Sequence, residues 1–344
     1  MAELLVVDDH GLYCPPAGVY VDPWRPQPGV PALLTHAHAD HARSGAAEYH
    51  AAAAGAPLLR LRLGDVRLHE HPWRQAFVVN PGGTTPVRAA FFPAGHVLGS
   101  AQIRLEAPGY PVTVVTGDFK REPDATCRPF EPVGCETLIM EATFALPVYR
   151  WDPTTETIAA LVAWWAAQGT RTAIIFTYAL GKAQRLMAEL AAHADQHGAL
   201  PGPILCHGAV ATVNRAYEEA GVTLPAWEPV GRRSGDDLAR ALVIAPPSAH
   251  RSPWMKRMDR PATAFASGWM RVRGARRRRG YERGFVLSDH ADWNGLLRTV
   301  RETGARTVFT THGQNEAFAR YLREVMMIDA RPLATLYEGE ARDD

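Results

Sequence analysis

Lysine is scarce in this chain: Lys120, Lys182 and Lys256 are the only three among 344 residues, although lysine and arginine together number 37. The positive charge is therefore almost wholly guanidinium, which stays protonated and pairs in planar forks with carboxylates and phosphates. Cysteine is nearly as scarce. Cys14, Cys127, Cys135 and Cys206 are far apart with no CxxC, which excludes a disulfide framework and a thiolate zinc knuckle. No run approaches the roughly 18 consecutive apolar residues of a membrane span. The opening MAELLVVDDHG has neither a basic leader nor a small-residue cleavage site, so no signal peptide or membrane partner is expected and the cytoplasm is the expected location. A net charge of +1 names no partner. With 47% apolar and 21% charged residues, the composition excludes collagen-like and disordered chains and suits one large domain or two ordinary ones.

What is present is a change of texture along the chain. Up to about residue 148, short apolar runs separated by glycine and proline turns predict strands at 18–22, 32–35, 87–92, 102–106, 112–116 and 137–140. From Asp152 the pattern lengthens. Helix 154–167, strand 172–177, helix 182–194, strand 203–206 and strand 241–245 alternate as in an open α/β sheet. After the arginine-rich segment 271–283 the chain returns to strand, turn and helix, ending in a helix at 315–327. A central α/β module, 149–269, is thus inserted between two parts of another domain, 1–148 and 270–344.

The 14 histidines matter where they cluster. THAHADHARSG follows the strand ending at Thr35 and supplies His36, His38, Asp40 and His41. Residues two apart in extended chain share a face, so His36 and His38 can grip one ion. A helix opening at Ala42 would re-aim Asp40 and His41 toward a second ion. Imidazole and carboxylate donors without thiolate favour a hydrolytic zinc or manganese site over a structural one. Further donors stand at other strand ends: His96 in PAGHVLGSA, Asp118 in VVTGDFKRE and His312 in FTTHGQNE. Asp118 is the natural bridging carboxylate, one oxygen facing each ion. By contrast, His69 and His71 in LHEHPW imitate the spacing without a following Asp-His and read as surface residues, and His50 attracts no functional reading.

HAHADH, AGHVLGSA, TGD and the late histidines resemble the metallo-β-lactamase superfamily. Within it, EATF (Glu141), SDHADW (His290) and THG (His312) resemble the further motifs of the β-CASP nucleases. VDPWRP, HAHADHAR, AGHVLGSAQ, GDFKREPD, ATFALPVYRW and FVLSDHADW are similar to the bacterial ligase-associated DNA exonucleases. The resemblance covers essentially the whole chain. It implies a four-layer αββα metallo-β-lactamase sandwich with an inserted β-CASP α/β domain capping a single-strand channel.

It also implies two divalent metal ions, zinc or manganese. His36, His38 and His96 would hold the first and Asp40, His41 and His312 the second, with Asp118 bridging. Asp22 in YVDPW would orient a ligand histidine from behind. Asp118 and Asp40 would serve catalysis through the metals. Glu141 would position His290 near the scissile phosphate, where it stabilises charge or protonates the leaving group. The implied activity is phosphodiester hydrolysis by a hydroxide activated between two metals: a DNA exonuclease working on single strands in end processing or repair, beside an ATP-dependent DNA ligase and a helicase. A 5′-to-3′ direction is suggested by the better-known DNA relatives. The Artemis and Apollo type usually carries an aliphatic residue where this chain has His312, whereas RNA-processing members and the ligase-associated group keep the histidine. A β-CASP ribonuclease is therefore the alternative, and a small-molecule metallo-hydrolase a more distant one.

For nucleic acid, the tract MRVRGARRRRGYERG offers Arg271, Arg273 and further arginines beside Trp269, a mixture suited to phosphate tracking and base stacking. Lys182 opens a helix where free amides could meet phosphate, although Phe176 and Ala183 exclude a nucleotide-binding P-loop. Ser267 and His207 also end probable strands and complete the expected contacts.

Overall fold

The computed structural model describes residues 3–79, 85–272 and 280–336. It divides into two compact units: residues up to Pro147 together with those from His290 onward, and Val148–Asp289.

In the first unit, six described strands form one sheet in simple order: β1 (Val6–Val7), β2 (Leu12–Cys14), β3 (Val19–Val21), β4 (Ala32–Leu33), β5 (Tyr49–Ala52) and β6 (Leu68–His71). A second sheet holds β7 (Phe77–Val79), β8 (Val87–Pro93), β9 (Ala101–Glu106), β10 (Thr113–Val115) and β11 (Thr137–Glu141). It is completed by β18 (Thr307–Thr311) and β19 (Asp329–Pro332), in the order β19-β18-β11-β10-β9-β8-β7. The sheets share one core: Leu12, Val19, Val21 and Leu33 from the first pack with Phe91, Ile103, Leu105, Val115 and Phe309 from the second. Because side chains alternate along a strand, Val114, Leu138, Met140 and Val308 emerge on the opposite face. There they meet α5 (Trp293–Thr303) and α6 (Asn315–Glu324). Trp293, Leu296, Leu297 and Val300 recur at helical spacing, so α5 presents one apolar stripe to that face. Asp292 caps the helix by accepting from the Gly295 amide at 2.7 Å, and Gly304 ends it in the left-handed conformation. α1 (Ala56–Leu63) follows β5 and buries Ala56, Leu58 and Leu59. Strands packed face to face and flanked by helices make the expected α/β sandwich.

The inserted unit is an open sheet whose described pairings are all parallel, in the order β14-β13-β15-β12-β16-β17. Its strands are β12 (Ala173–Phe176), β13 (Ile204–Cys206), β14 (Trp227–Pro229), β15 (Leu242–Ala245), β16 (Ala262–Ala266) and β17 (Arg283–Phe285). Central β12 reads Ala-Ile-Ile-Phe without a polar residue because both faces are covered. Ala173 and Ile175 join Leu186 and Leu190 of α3 (Lys182–His197), Ile158 of α2 (Thr154–Ala166) and Val210 of α4 (Gly208–Glu219). Ile174 and Phe176 face Val243, Phe265 and Tyr281.

Two sequence expectations change. The pattern puts the return to the first unit near residue 270, but the chain returns at His290. β17 pairs with β16, and the Arg185 side chain donates to the Ser288 carbonyl, which ties this stretch to the insert. Nor does a helix open at Ala42: residues 42–48 run as bends to β5.

The rare lysines are informative. Lys120 is fully buried and its Nζ donates to Asp124 Oδ2 at 2.7 Å, while buried Lys182 lies 3.7 Å from Asp289 Oδ2 and over the Tyr178 ring. Removing one member of such a buried pair strands a charge, at a cost of about 3–5 kcal/mol. Lys256 alone is exposed.

Candidate metal centre

Parallel β10, β11 and β18 end together, with Glu141 paired to Thr311 across the register. The loops leaving these ends, with those after β4 and β8, carry every proposed ligand. β4 stops at Leu33, so THAHADH is a turn rather than extended chain; the Ala42 amide donates to the His38 carbonyl at 2.8 Å. The turn, not strand alternation, aims the two rings.

The donors form two groups capable of holding metal, His36-His38-His96-Asp118 and Asp40-His41-His312, all buried. In the first, His38 presents Nδ1, 3.1 Å from His36 Nε2 and 3.0 Å from His96 Nε2. Asp118 Oδ2 lies 3.6 Å from His36 Nε2 and 3.8 Å from His96 Nε2. The second group includes His41 Nε2 and His312 Nε2, 3.6 and 3.9 Å from Asp40 Oδ2. Asp118 reaches it too, with Oδ2 3.7 Å from His41 Nε2 and Oδ1 3.8 Å from His312 Nε2. One carboxylate thus touches both groups. Donors about 2.0–2.2 Å from one tetrahedral ion would lie roughly 3.3–3.6 Å apart, close to these separations.

Partners on the far side of the rings fix which nitrogen points inward. Asp22 Oδ2 accepts from His41 Nδ1 at 2.7 Å and from the Thr35 hydroxyl at 2.5 Å, and Oδ1 accepts from the Thr35 amide at 2.8 Å. Since Thr35 gives its hydroxyl proton to Asp22, it accepts from His36 Nδ1 at 3.0 Å, leaving His36 Nε2 as the inward lone pair. The same device recurs at the other end of the site. Thr311 donates to the Met140 carbonyl at 3.3 Å and accepts from His312 Nδ1 at 2.8 Å. The family resemblance pointed to Asp22, and both threonines were missed; the repeated Thr-His dipeptide at strand ends was the available signal.

The backbone is bent to meet this geometry. Asp22 and His312 hold φ of 43° and 59°, a region few side chains adopt. Gly117, before Asp118, has φ +55°, and a Cβ there would stand 2.6 Å from the Thr35 side chain. Only glycine allows the two loops to approach so closely.

Electrostatically, the group is unsettled without a cation. Both oxygens of Asp40 and Oδ1 of Asp118 are buried without a hydrogen-bond partner. Burial pushes Asp118 up to about 8, with Glu141 adding to the rise and His41 opposing it. Burial also drives His36 well below its ordinary value, and His312 down to about 3. His41 goes the other way: burial opposes its charge, but Asp40, Asp118 and Asp22 together hold its pKa well above the usual value. Acceptor atoms buried without donors, and imidazoles kept neutral as at His36 and His312, are what a divalent ion requires, and a cation would take the place of the proton on His41. The donor set therefore fits a metal pair.

Beside the cluster, both Glu141 oxygens accept from His290 Nδ1, at 2.9 and 2.8 Å. Glu141 Oε1 also accepts from the Phe119 amide at 2.8 Å, and the Ala291 amide donates to the Phe119 carbonyl at 2.7 Å. This loop-to-loop ladder fixes the His290 ring, whose centroid lies 4.7 Å from that of His96.

The described residues expected to touch nucleic acid lie in the inserted unit. Buried Ser267 caps a short 3₁₀ turn by accepting from the Trp269 amide at 3.3 Å. Trp269 packs edge-on against Tyr149, with ring centroids 5.7 Å apart. Arg271 donates to Asp152 at 2.6 Å. His207 caps α4 by accepting from the Ala209 amide at 3.1 Å, with Trp254 4.9 Å away. Lys182 is buried at the start of α3, its ammonium near Asp289. Arg273 lies outside the described residues, as does most of the arginine tract. Among the described residues no helix is long and apolar enough to cross a membrane.

No family model matches the sequence. It is 32% identical over 321 residues to a probable DNA ligase of Opitutus terrae, an alignment spanning 92% of this chain and 30% of that protein. Over 125 residues it is 33% identical to an endoribonuclease of Saccharomyces cerevisiae, covering 34% of this chain and 16% of the yeast protein. The chain thus spans under a third of the length of these curated relatives. Its fold is shared with a crystal structure of a protein of unknown function from Enterococcus faecalis, at a TM-score of 0.54 and 12% identity over 82% of this chain and 75% of the other.

Proposed function

We propose that the chain is a metal-dependent nuclease of the β-CASP metallo-β-lactamase type that acts as a DNA exonuclease. The observation that carries this reading is Asp118, whose carboxylate reaches both groups of buried donors, Oδ2 lying beside His36, His96 and His41 and Oδ1 beside His312. Divalent ions held there, zinc or manganese, would acidify a water and neutralise phosphate charge. The protein's own part is geometric. His36, His38 and His96 hold one position, Asp40, His41 and His312 the other, while Thr35, Thr311 and Asp22 keep the rings turned inward. Glu141 holds His290 with Nδ1 engaged, so Nε2 is the atom that meets the phosphate or delivers a proton to the leaving oxygen.

Similarity to a probable DNA ligase over nearly the full chain favours DNA and a place beside strand joining; a ligase and a helicase as working neighbours in the cytoplasm are part of this proposal and rest on the family resemblance alone. The inserted unit, with Arg271, Trp269 and the arginine tract, is proposed to contact the strand. Similarity to an endoribonuclease supports the second reading, a β-CASP ribonuclease. End-labelled single-stranded DNA and RNA of one sequence, incubated with chelator-stripped protein plus zinc, manganese or magnesium, separate the two. A ladder from DNA alone supports the exonuclease, a ladder from RNA alone supports the ribonuclease, and no product from either polymer with any metal refutes both.

A further inference from the structure

A second group of metal donors lies outside this cluster, on β5 and β6. The register pairs His50 with His69 and Ala52 with His71. Glu48 precedes β5 by one residue, so Glu48 and His50 share a face, as do His69 and His71. His69 Nε2 lies 3.0 Å from Glu48 Oε2, and His50 Nε2 lies 3.8 Å from Glu48 Oε1. The His50 and His69 rings stack with centroids 4.6 Å apart, which brings their Nε2 atoms to one side of the carboxylate. Behind them, His50 Nδ1 lies 3.0 Å from His71 Nε2, and the His71 ring is clamped on Phe77 with centroids 3.5 Å apart.

We propose that Glu48, His50 and His69 form an accessory zinc site, with His71 holding the His50 ring in place. Two imidazoles and one carboxylate are a donor set that zinc takes with a water in the fourth position. The spacing of the donors, all within 4.8 Å of one another, is compatible with a single ion. Histidine ligands that engage a second acceptor through their other nitrogen are the rule at such sites, and His71 supplies that acceptor. Arg67 competes: its Nε lies 3.2 Å from Glu48 Oε2. The ion would staple β6, the last described strand of its sheet, to β5. The site is independent of the nuclease reading, since none of its residues belongs to that cluster.

The test uses the full chain, stripped with chelator and titrated with zinc against a chromogenic competitor. His69→Gln and Glu48→Gln are each expected to bind one zinc fewer than wild type with unchanged far-ultraviolet circular dichroism. Arg67→Gln is expected to keep the count and tighten that one ion several-fold, because it releases Glu48; a change that merely loosened structure would not do so. An equal zinc count in wild type and both ligand variants overturns the site, as does weaker binding in Arg67→Gln.

Discussion

The chain holds two His-x-His pairs of identical spacing, His36/His38 and His69/His71, and the fold treats them differently. The first sits in a turn beyond a strand end, where donors from β4, β8, β10 and β18 loops converge in a buried pocket. The second lies along a strand, so its partners come from the neighbouring strand and its histidines remain partly open: the His69 side chain is 37% exposed and His36 is fully enclosed. Loop ends collect ligands from many elements and can build a two-metal cluster. A strand face collects them only from its ladder neighbours and builds a small peripheral site at most.

That contrast can be broken by experiment. The largest effect is expected for Asp118→Ala, which should abolish both hydrolysis and metal retention at the cluster; a metal-replete, active variant measured by atomic emission would end the bridging role. His290→Ala should lower the rate by about 10²–10⁴-fold, the range for a positioned acid or charge partner, while the metal count stays at the wild-type value. Next come the threonines. Thr35→Val and Thr311→Val remove one hydroxyl each at nearly constant volume and should weaken metal affinity by about 10–100-fold, as loss of an orienting partner does.

The pH dependence sharpens the electrostatic half of the comparison. In metal-free protein His41 carries a proton at neutral pH because Asp40, Asp118 and Asp22 hold its pKa above the ordinary value against burial. Metal loading must expel that proton together with the one burial keeps on Asp118, whose pKa is pushed up to about 8, so affinity should rise with pH through neutrality. Calorimetry in buffers of different ionisation enthalpy reads the released protons directly; the absence of proton release at pH 7 would contradict the protonation assigned to both His41 and Asp118. The smallest effect belongs to the strand pair: His69→Gln should leave hydrolysis within about twofold, the scatter expected for a surface change away from such features.

Much of this was legible before the fold. The alternating α/β insert followed from period and punctuation, as β12 and α3 illustrate, whereas the αββα arrangement around it was implied only by the resemblance to the metallo-β-lactamase superfamily. Both lie near their expected bounds because a fully apolar four-residue run and a stripe at Ala183, Leu186, Met187 and Leu190 allow few alternatives. The candidate ligands stood out as His and Asp at strand ends. β6 escaped notice because LHEH carries a strand pattern with charged and imidazole side chains in the apolar positions. The helix expected at Ala42 failed because His41, at its start, is drawn back to Asp22, which bends the chain into a turn.

The amino-acid sequence alone determined the donor types, the faces that must be buried and the two-part layout, since these depend on residue chemistry and local period. Only the tertiary structure decided that His38 offers Nδ1 while His36, His41 and His312 offer Nε2. A ring's inward nitrogen is whichever one its neighbours leave over, and those neighbours are Thr35, Asp22 and Thr311 in folded turns. Strand register likewise brought His50 to His69 across 19 residues of chain, a juxtaposition with no trace in local pattern.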